Sequence, residues 1–402
     1  MNIHTDKDAI EHLLTRGVEN VYPSFEFLEA QLQSGKQLTL YLGIDPTGPD
    51  LHLGHAIPLR KMAEFQKLGH KLILLIGDFT AMIGDPTDKA ATRVQQTREQ
   101  VLANAAKYKE QASKIISFEG ENAAELKYNS DWLGKLSFSD VVELASNFTV
   151  QQMLERDMFE KRIAEGKPVH LHEFLYPLMQ GYDSVAMDVD GEIGGNDQTF
   201  NMLAGRDLMK ALKGKEKFVI TSKLLTDPTG KKMGKSEGNM ITLSDTPDDT
   251  FGKVMSWTDG MIIPGFEILT DLPNGEIKEM KIAMGDGVNP RDFKVKLAAE
   301  VVATFFDRAA GDAAVDRFNK LFQEHAVPED VPEVKLESAM SIIDALVATK
   351  LAQSKGDARR LIDGGGVKVN EEVVTEYEFV VDPSKSPLLQ KGKRHFARII
   401  AS

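Results

Sequence analysis

Between Leu38 and His70 the apolar period changes from two to about 3.6 across a Gly/Pro-rich turn, and no other stretch restricts the fold as strongly. Leu38, Leu40 and Leu42 alternate with Thr39, Tyr41 and Gly43, the pattern of a strand. The run Gly43-Ile44-Asp45-Pro46-Thr47-Gly48-Pro49-Asp50 cannot continue it, because proline removes backbone donors and glycine admits positive φ. From Leu53 to Leu68 the residues Ile57, Leu59, Met62, Phe65 and Leu68 recur at helical spacing. His52-Leu53-Gly54-His55 therefore falls at a helix N-terminus, where unpaired N–H groups and the helix dipole attract anions. Two imidazoles and a glycine there make a seat for a polyphosphate; taken singly, either histidine is equally a plain helix cap.

A second stretch points the same way. Lys231-Lys232-Met233-Gly234-Lys235-Ser236 lies in a polar loop after the strand-like Phe218–Thr221. Lysines on a glycine-containing loop can follow negative charge as it moves onto a leaving pyrophosphate. A solvated basic loop is the alternative for this run by itself.

Between and beyond these motifs the pattern is α/β. Leu72–Ile76 is an unbroken apolar run of strand length, expected of a parallel strand covered on both faces. A helical lead-in is expected over 1–36. Helices follow around Arg93–Ser117, Ser137–Asn147, Leu171–Val185 and Asp197–Leu212, with strands near Leu126–Asn129, Ala186–Val189 and Phe218–Thr221. Alternating strands and helices predict a doubly wound, Rossmann-like parallel sheet. From Thr246 to Phe322 the strand signal disappears. The expected domains are a catalytic domain over 1–245, a helical domain over 246–325, a Pro-interrupted acidic linker over 326–335 and a small α+β domain over 336–402.

Composition narrows the setting. The 402 residues include no cysteine, so disulfides and thiolate metal sites are excluded. His170 and His172 have no partners in the sequence that complete a metal cluster and read as structural. The N-terminal residues show no basic-then-apolar signal, and no apolar run approaches the ~20 residues that span a bilayer. These features fit a cytoplasmic protein without a membrane segment. The net charge is −13, yet the last 62 residues carry ten Lys/Arg against eight Asp/Glu. A local basic face there can bind RNA while the body stays acidic. Lys355, Arg359 and Arg360 fall on one side of a short helix, followed by the glycine turn Gly364-Gly365-Gly366 and a strand bearing Lys368.

His-Leu-Gly-His followed at a distance by Lys-Met-Gly-Lys-Ser resembles the paired signature of class I aminoacyl-tRNA synthetases. The surrounding residues resemble the tyrosyl-tRNA synthetase family: Tyr41 to Thr47, Ile83-Gly84-Asp85-Pro86, Tyr176/Gln180/Asp183, and Gly194-Gly195 with Asp197-Gln198, in that order. Residues 336–402, through the run from Leu351 to Asn370, are similar to an RNA-binding module known from a small-subunit ribosomal protein.

The resemblance implies activation of tyrosine with ATP, followed by transfer to the 3′ end of tRNA(Tyr). It implies a homodimer, ATP as substrate with Mg²⁺, and no tightly bound cofactor. Thr47, His52, His55, Lys89, Arg93, Lys232, Lys235 and Ser236 become the catalytic candidates. By sequence alone, Lys89 and Arg93 are equally a solvated surface pair. Tyr41 and Asp183 are implied for the substrate phenol, and Asp85, Tyr176 and Gln180 for its ammonium group, with Gln198 beside them. Asp45, Gly54, Gly195, Asp197 and Met233 join the histidines and lysines around ATP. Lys355, Arg359, Arg360 and Lys368 are implied for tRNA. A tryptophanyl enzyme shares the fold but has no use for a Tyr41/Asp183 pair. Gly234 stands where many relatives of the class carry serine, which removes a hydroxyl and keeps both lysines.

Overall fold

The computed structural model describes residues 3–85, 96–226, 240–322, 331–392 and 395–401, and the chain divides into two compact units, Met1–Gly311 and Asp312–Ser402. The first unit opens with α1 (Lys7–Thr15), β1 (Val18–Tyr22), α2 (Phe25–Gln33), β2 (Thr39–Ile44), α3 (Leu53–Lys67) and β3 (Lys71–Ile76). Short helices α4 (Thr80–Ile83), α5 (Arg98–Ala105) and α6 (Tyr108–Ala112) lead to β4 (Glu125–Tyr128). Then come α7 (Ser130–Leu133), α8 (Phe138–Ala145), α9 (Val150–Leu154), α10 (Asp157–Ala164), α11 (Leu171–Met187), β5 (Gly191–Gly195), α12 (Thr199–Lys213) and β6 (Phe218–Ser222).

These strands form one sheet in the order β1-β6-β5-β2-β3-β4. Every neighbouring pair is parallel except β1 with β6, at the edge. In β3 all residues but the first are buried, as a strand covered on both faces requires. The chain winds from β2 through β3 to β4 in one direction and from β5 to β6 in the other. The crevice between β2 and β5 is thus the switch point, where open α/β sheets bind ligands beyond the carboxyl ends of their strands.

Three expectations need correcting. The lead-in is not helical throughout, because Val18–Tyr22 forms β1 by pairing with β6. Its residues are half-buried or exposed, so tertiary pairing rather than apolar alternation makes the strand. The strand expected at Ala186–Val189 lies instead at Gly191–Gly195, because α11 runs on to Met187 and stops at Asp188 in the left-handed conformation (φ 51°). Glycine is rare in strands, but here it admits close packing: a Cβ on Gly191 would meet the Phe218 ring at 2.0 Å. Residues 98–112 form two helices where one was expected, and residue 93 lies outside the described residues.

After β6 the named elements of the first unit are helical: α13 (Pro247–Met255), α14 (Ile262–Leu269), α15 (Asn274–Gly285) and α16 (Pro290–Phe305), and α17 (Arg308–Phe322) begins there and runs on into the second unit. α14 is tied to the start of the chain by the buried Arg16, which donates to the Phe266, Glu267 and Thr270 carbonyls around its end at 2.7–3.1 Å. A guanidinium has donors enough to satisfy the several carbonyls that a helix C-terminus leaves without partners.

The second unit holds β7 (Glu333–Leu336), β8 (Met340–Ser341), α18 (Ile342–Ala348), α19 (Lys355–Asp363), β9 (Val367–Val369), β10 (Glu372–Val373), β11 (Val380–Val381), β12 (Leu388–Lys391) and β13 (His395–Ala401). Its five-stranded sheet runs β10-β9-β12-β13-β7 around a core that includes Ile342, Leu346, Ile362, Val367, Leu389 and Ile399. Among the described residues no helix is long and apolar enough to cross a membrane.

Candidate active site

A cavity of about 730 Å³ occupies the switch point, lined by residues from the ends of β2 and β5, the start of α3 and one face of α11. Every described residue singled out above for tyrosine or nucleotide lines it, from Tyr41 and Asp45 to Asp197 and Gln198. Thr47 is an exposed turn residue on its wall. The candidates Lys89, Arg93, Lys232, Met233, Lys235 and Ser236 lie outside the described residues. The segments flanking the second motif do reach the cavity, through Leu225 before it and Met240 and Ile241 after it.

At one end the turn before α3 is pinned from α5 and α6. Asn104 donates to the Pro46 carbonyl (3.0 Å), Tyr108 to that of Gly48 (2.6 Å) and Gln111 to that of Pro49 (3.0 Å). Chain returning from the second motif pairs with the same turn, Leu53 N donating to Ile241 O (3.0 Å) and Leu243 N to Leu51 O (2.8 Å). His52 caps α3, its Nδ1 accepting from Gly54 N (3.1 Å), while His55 Nδ1 accepts from His52 N (3.2 Å). The two rings lie 3.9 Å apart. With both Nδ1 atoms accepting, each neutral imidazole carries its proton on Nε2, as a donor. Gly54 has a steric reason: a Cβ there would approach the His52 ring to 2.8 Å.

At the other end Tyr41 is fully buried, and its hydroxyl lies 3.0 Å from Ser184 Oγ. Asp183, also buried, accepts from Trp132 Nε1 (2.7 Å) and Asn129 Nδ2 (3.3 Å). Burial pushes its carboxyl well above the usual carboxylate range, against the pull of those two donors. Burial likewise raises the Tyr41 phenol, with the nearby Glu192 and Asp183 carboxylates adding to it.

Between the ends, Tyr176, Gln180 and Asp183 project from one face of α11. Tyr176 donates to Asp45 Oδ2 (2.8 Å), and Thr80 donates to Asp45 Oδ1 (2.7 Å). Asp85 accepts from Gln198 Nε2 (2.8 Å) and from the buried Arg156 (3.3 Å). Gln180 Nε2 donates to Glu192 Oε1 (3.0 Å), and Glu192 forms a buried ion pair with Lys217.

Trp132, Asn129, Arg156, Ser184, Glu192 and Lys217 escaped the sequence reading. Lys217 ends the charged run Lys213-Gly214-Lys215-Glu216-Lys217, which resembles a solvated loop. The one available signal was Glu192, a carboxylate inside a strand whose neighbours are apolar or glycine.

In the second unit, Ser354 caps α19, and Lys355, Arg359 and Arg360 are exposed on it. Gly365 (φ 64°) makes the turn into β9, which carries the half-buried Lys368. Lys355 pairs with Asp344 (2.7 Å) and Arg360 with Asp357 (3.2 Å).

Residues 33–323 match the family described as tRNA synthetases class I (W and Y), and residues 323–399 match the tyrosine–tRNA ligase SYY-like C-terminal domain. The chain is 46% identical over 400 residues to the tyrosine–tRNA ligase of Carboxydothermus hydrogenoformans, covering 96% of this chain and 97% of that one. It is 43% identical to that of Thermotoga maritima, covering 96% of each. Among solved structures, a C-terminally truncated mitochondrial tyrosyl-tRNA synthetase from Coccidioides posadasii superposes with a TM-score of 0.62 at 26% identity, over 78% of this chain and 92% of that one. The tyrosyl-tRNA synthetase of Archaeoglobus fulgidus complexed with L-tyrosine shares the fold at 20% identity and a TM-score of 0.61, over 77% of this chain and all of that one.

Proposed function

This chain belongs to the tyrosine–tRNA ligase family of class I aminoacyl-tRNA synthetases, and we propose that its switch-point cavity is where tyrosine and ATP meet. The family's reaction is activation of tyrosine by ATP and charging of tRNA(Tyr), and this chain performs it. In the first step a tyrosine carboxylate oxygen attacks the α-phosphorus, the bond to the bridging oxygen breaks, and pyrophosphate leaves. The carboxylate is already ionised, so the protein's task is positioning and stabilisation of phosphate charge.

In this reading the Nε2–H groups of His52 and His55 and the N-terminus of α3 receive the phosphates, with Thr47, Asp45, Gly54, Gly195 and Asp197 around the nucleotide. Lys232, Lys235 and Ser236, with Met233 between them, approach from the second motif, and Lys89 and Arg93 reach the pyrophosphate. Tyr41 and Asp183 read the substrate phenol. Asp85, Tyr176 and Gln180 hold its ammonium group beside Gln198. Mg²⁺ enters with the ATP phosphates, a role that needs few protein ligands; among the described residues no cluster of three His, Cys, Asp or Glu could hold a metal.

The observation that carries this reading is that Tyr41 and Asp183, both buried, line the same cavity as His52 and His55. Residues 1–245 would form the catalytic domain and 246–325 a helical anticodon-side domain. After the 326–335 linker, residues 336–402 would bind tRNA through Lys355, Arg359, Arg360 and Lys368. A homodimer belongs to the same reading, supported by the exposed apolar side chains Phe138, Val142, Val150, Ile163 and Leu171, all within one 34-residue stretch. The cytoplasm, where the tRNA pool resides, is its place of work.

ATP–pyrophosphate exchange measured with each of the twenty amino acids tests the reading. Exchange supported by tyrosine alone is expected; exchange supported by tryptophan and not tyrosine would overturn it.

A further inference from the structure

Behind Tyr41 lie three buried polar side chains, Lys217, Glu192 and Ser184, that none of the roles above uses. Lys217, Glu192, Ser184 and Tyr41 are each at most 2% exposed. Lys217 pairs with Glu192 and also donates to Ser184 Oγ at 2.8 Å. Ser184 Oγ lies 3.0 Å from the Tyr41 hydroxyl, which faces the Gln180 carbonyl more distantly at 3.5 Å. The second oxygen of Glu192 accepts from the Gln180 amide at 3.0 Å. The lysine reaches this place through a gap made by small residues. A Cβ on Gly205 would meet Lys217 Nζ at 2.6 Å, Ser184 Oγ at 2.9 Å and the Gly181 backbone at 3.3 Å.

The chemistry of these groups sets a direction. An ammonium only donates and a carboxylate only accepts. Ser184 Oγ, already accepting from Lys217, has one proton, and the inferred direction gives it to Tyr41. Tyr41, receiving that proton at its oxygen, keeps its own for a phenol oxygen in the cavity or, with none there, for the Gln180 carbonyl at 3.5 Å. On the other side, Glu192 compels the Gln180 amide to present its nitrogen inward, leaving the carbonyl oxygen as the amide's remaining acceptor.

We propose that the buried Glu192–Lys217 pair is the positioning device of the tyrosine pocket, fixing through Ser184 which way the Tyr41 hydroxyl donates and through Gln180 which amide atom faces the substrate. The inference rests on the assignment of Tyr41 and Asp183 to the phenol. The hydrogen bonds then run one way, from Lys217 to Ser184, Tyr41 and the phenol oxygen, with the phenol proton donated to Asp183. At the opposite end an acceptor oxygen meets the substrate ammonium. A benzyl side chain engages neither Tyr41 nor Asp183, so the Ser184–Tyr41 arm acts on tyrosine and leaves phenylalanine indifferent, while the Gln180 arm serves the ammonium group of both. Lys217, Glu192 and Ser184 are positioning residues; none of them has a part in phosphoryl transfer.

The test is pyrophosphate exchange with tyrosine and with phenylalanine, run on the full-length protein. Ser184→Ala leaves the ion pair intact and cuts only the arm to the phenol; the Tyr41 proton then turns to the Gln180 carbonyl. The expected result is a roughly tenfold fall in kcat/KM for tyrosine, the scale of one well-placed hydrogen bond. The values for phenylalanine and the KM for ATP should stay at wild type, so that discrimination falls by the same factor. Glu192→Gln/Lys217→Met removes both charges together, avoiding an unpaired buried ion. It should lower the tyrosine-to-phenylalanine ratio at least as far. An unchanged ratio in Ser184→Ala, or equal losses for both amino acids, overturns the proposal. So does an unchanged ratio in the double variant, should that variant fold. Failure of the wild-type protein to respond to tyrosine at all would instead overturn the reading of the cavity on which the proposal rests.

Discussion

His52 and His55 each spend Nδ1 on a backbone N–H, so their orientation is set by the helix start they cap rather than by any ligand. That economy depends on Gly54. Replacing it by alanine puts a methyl 2.8 Å from the His52 ring and must tilt the imidazole. Since a misplacement of about 1 Å at a reacting centre can cost as much as ~100-fold, Gly54→Ala is expected to lower kcat in exchange by roughly tenfold or more. The KM for tyrosine should hold steady, and steady-state titration of each substrate separates the two effects. Asp183 gives the opposite signature. Its side chain is held by Trp132 and Asn129 with no charged partner among those bonds, in a place where burial disfavours the anion. A phenol that donates to it would stabilise that anion. Asp183→Asn keeps the volume and loses the charge, and hydrogen bonds to charged groups contribute about 1.5–3 kcal/mol. The expected loss is ~10–100-fold in kcat/KM for tyrosine with the KM for ATP within about twofold, and equal losses on both substrates would count against the assignment.

At the scale of elements, the turn from α3 into β3 is closed by His70, which is wholly buried and accepts from Leu38 N at 3.2 Å through Nδ1. Burial lowers its pKa to about 4. The folded state therefore holds it neutral while the unfolded chain takes up a proton below about 6.5. Its contribution is fully present above that pH and is lost progressively as the pH falls from about 6.5 towards 4, because the unfolded state binds more protons there. Urea midpoints measured at pH 7.5 and pH 5 should show His70→Asn to be less stable than wild type at the higher pH but less sensitive to the drop. A parallel fall in both proteins would show that His70 is not the group responsible. The same elements show what a sequence can and cannot announce. β3 is visible because burial on both faces leaves an unbroken apolar run, and α11 because Tyr176, Gln180 and Asp183 share a helical face. β1 is not, since an edge strand gets its stability from β6, more than 190 residues away. β5 hides because its glycines answer to the Phe218 ring and to the cavity rather than to strand propensity. Lys217 hides for a related reason: a lysine in a charged run reads as solvated, and only the gap at Gly205 and the carboxylate of Glu192 make its burial tolerable.

On the scale of the whole molecule, the cavity and the exposed cations of α19 fall in different compact units of the chain, and the proposed reading assigns chemistry to the first and RNA binding to the second. All the described residues that line the cavity fall between Tyr41 and Trp257, inside the first compact unit. The second unit has its own core and sheet, and it carries Lys355, Arg359 and Arg360 exposed on a single helix. Two of these cations already pair with Asp344 and Asp357. Exposed pairs of this kind are worth little, so phosphate can replace the carboxylates at small cost. A chain ending before residue 331 keeps every described cavity residue and the whole of α17, and it should activate tyrosine at close to the wild-type rate. Its charging of tRNA(Tyr) should fall by at least ~10-fold if, as proposed, the cations of α19 and β9 are the contacts that hold the RNA. Replacing Arg359 and Arg360 with glutamine should reproduce part of that loss in the full-length chain and flatten the salt dependence of kcat/KM for tRNA, since each neutralised phosphate contributes about one unit of log–log slope. Loss of tyrosine-dependent exchange in a folded truncated protein would mean that the second unit supports the cavity itself, and the division between chemistry and RNA binding would have to be abandoned.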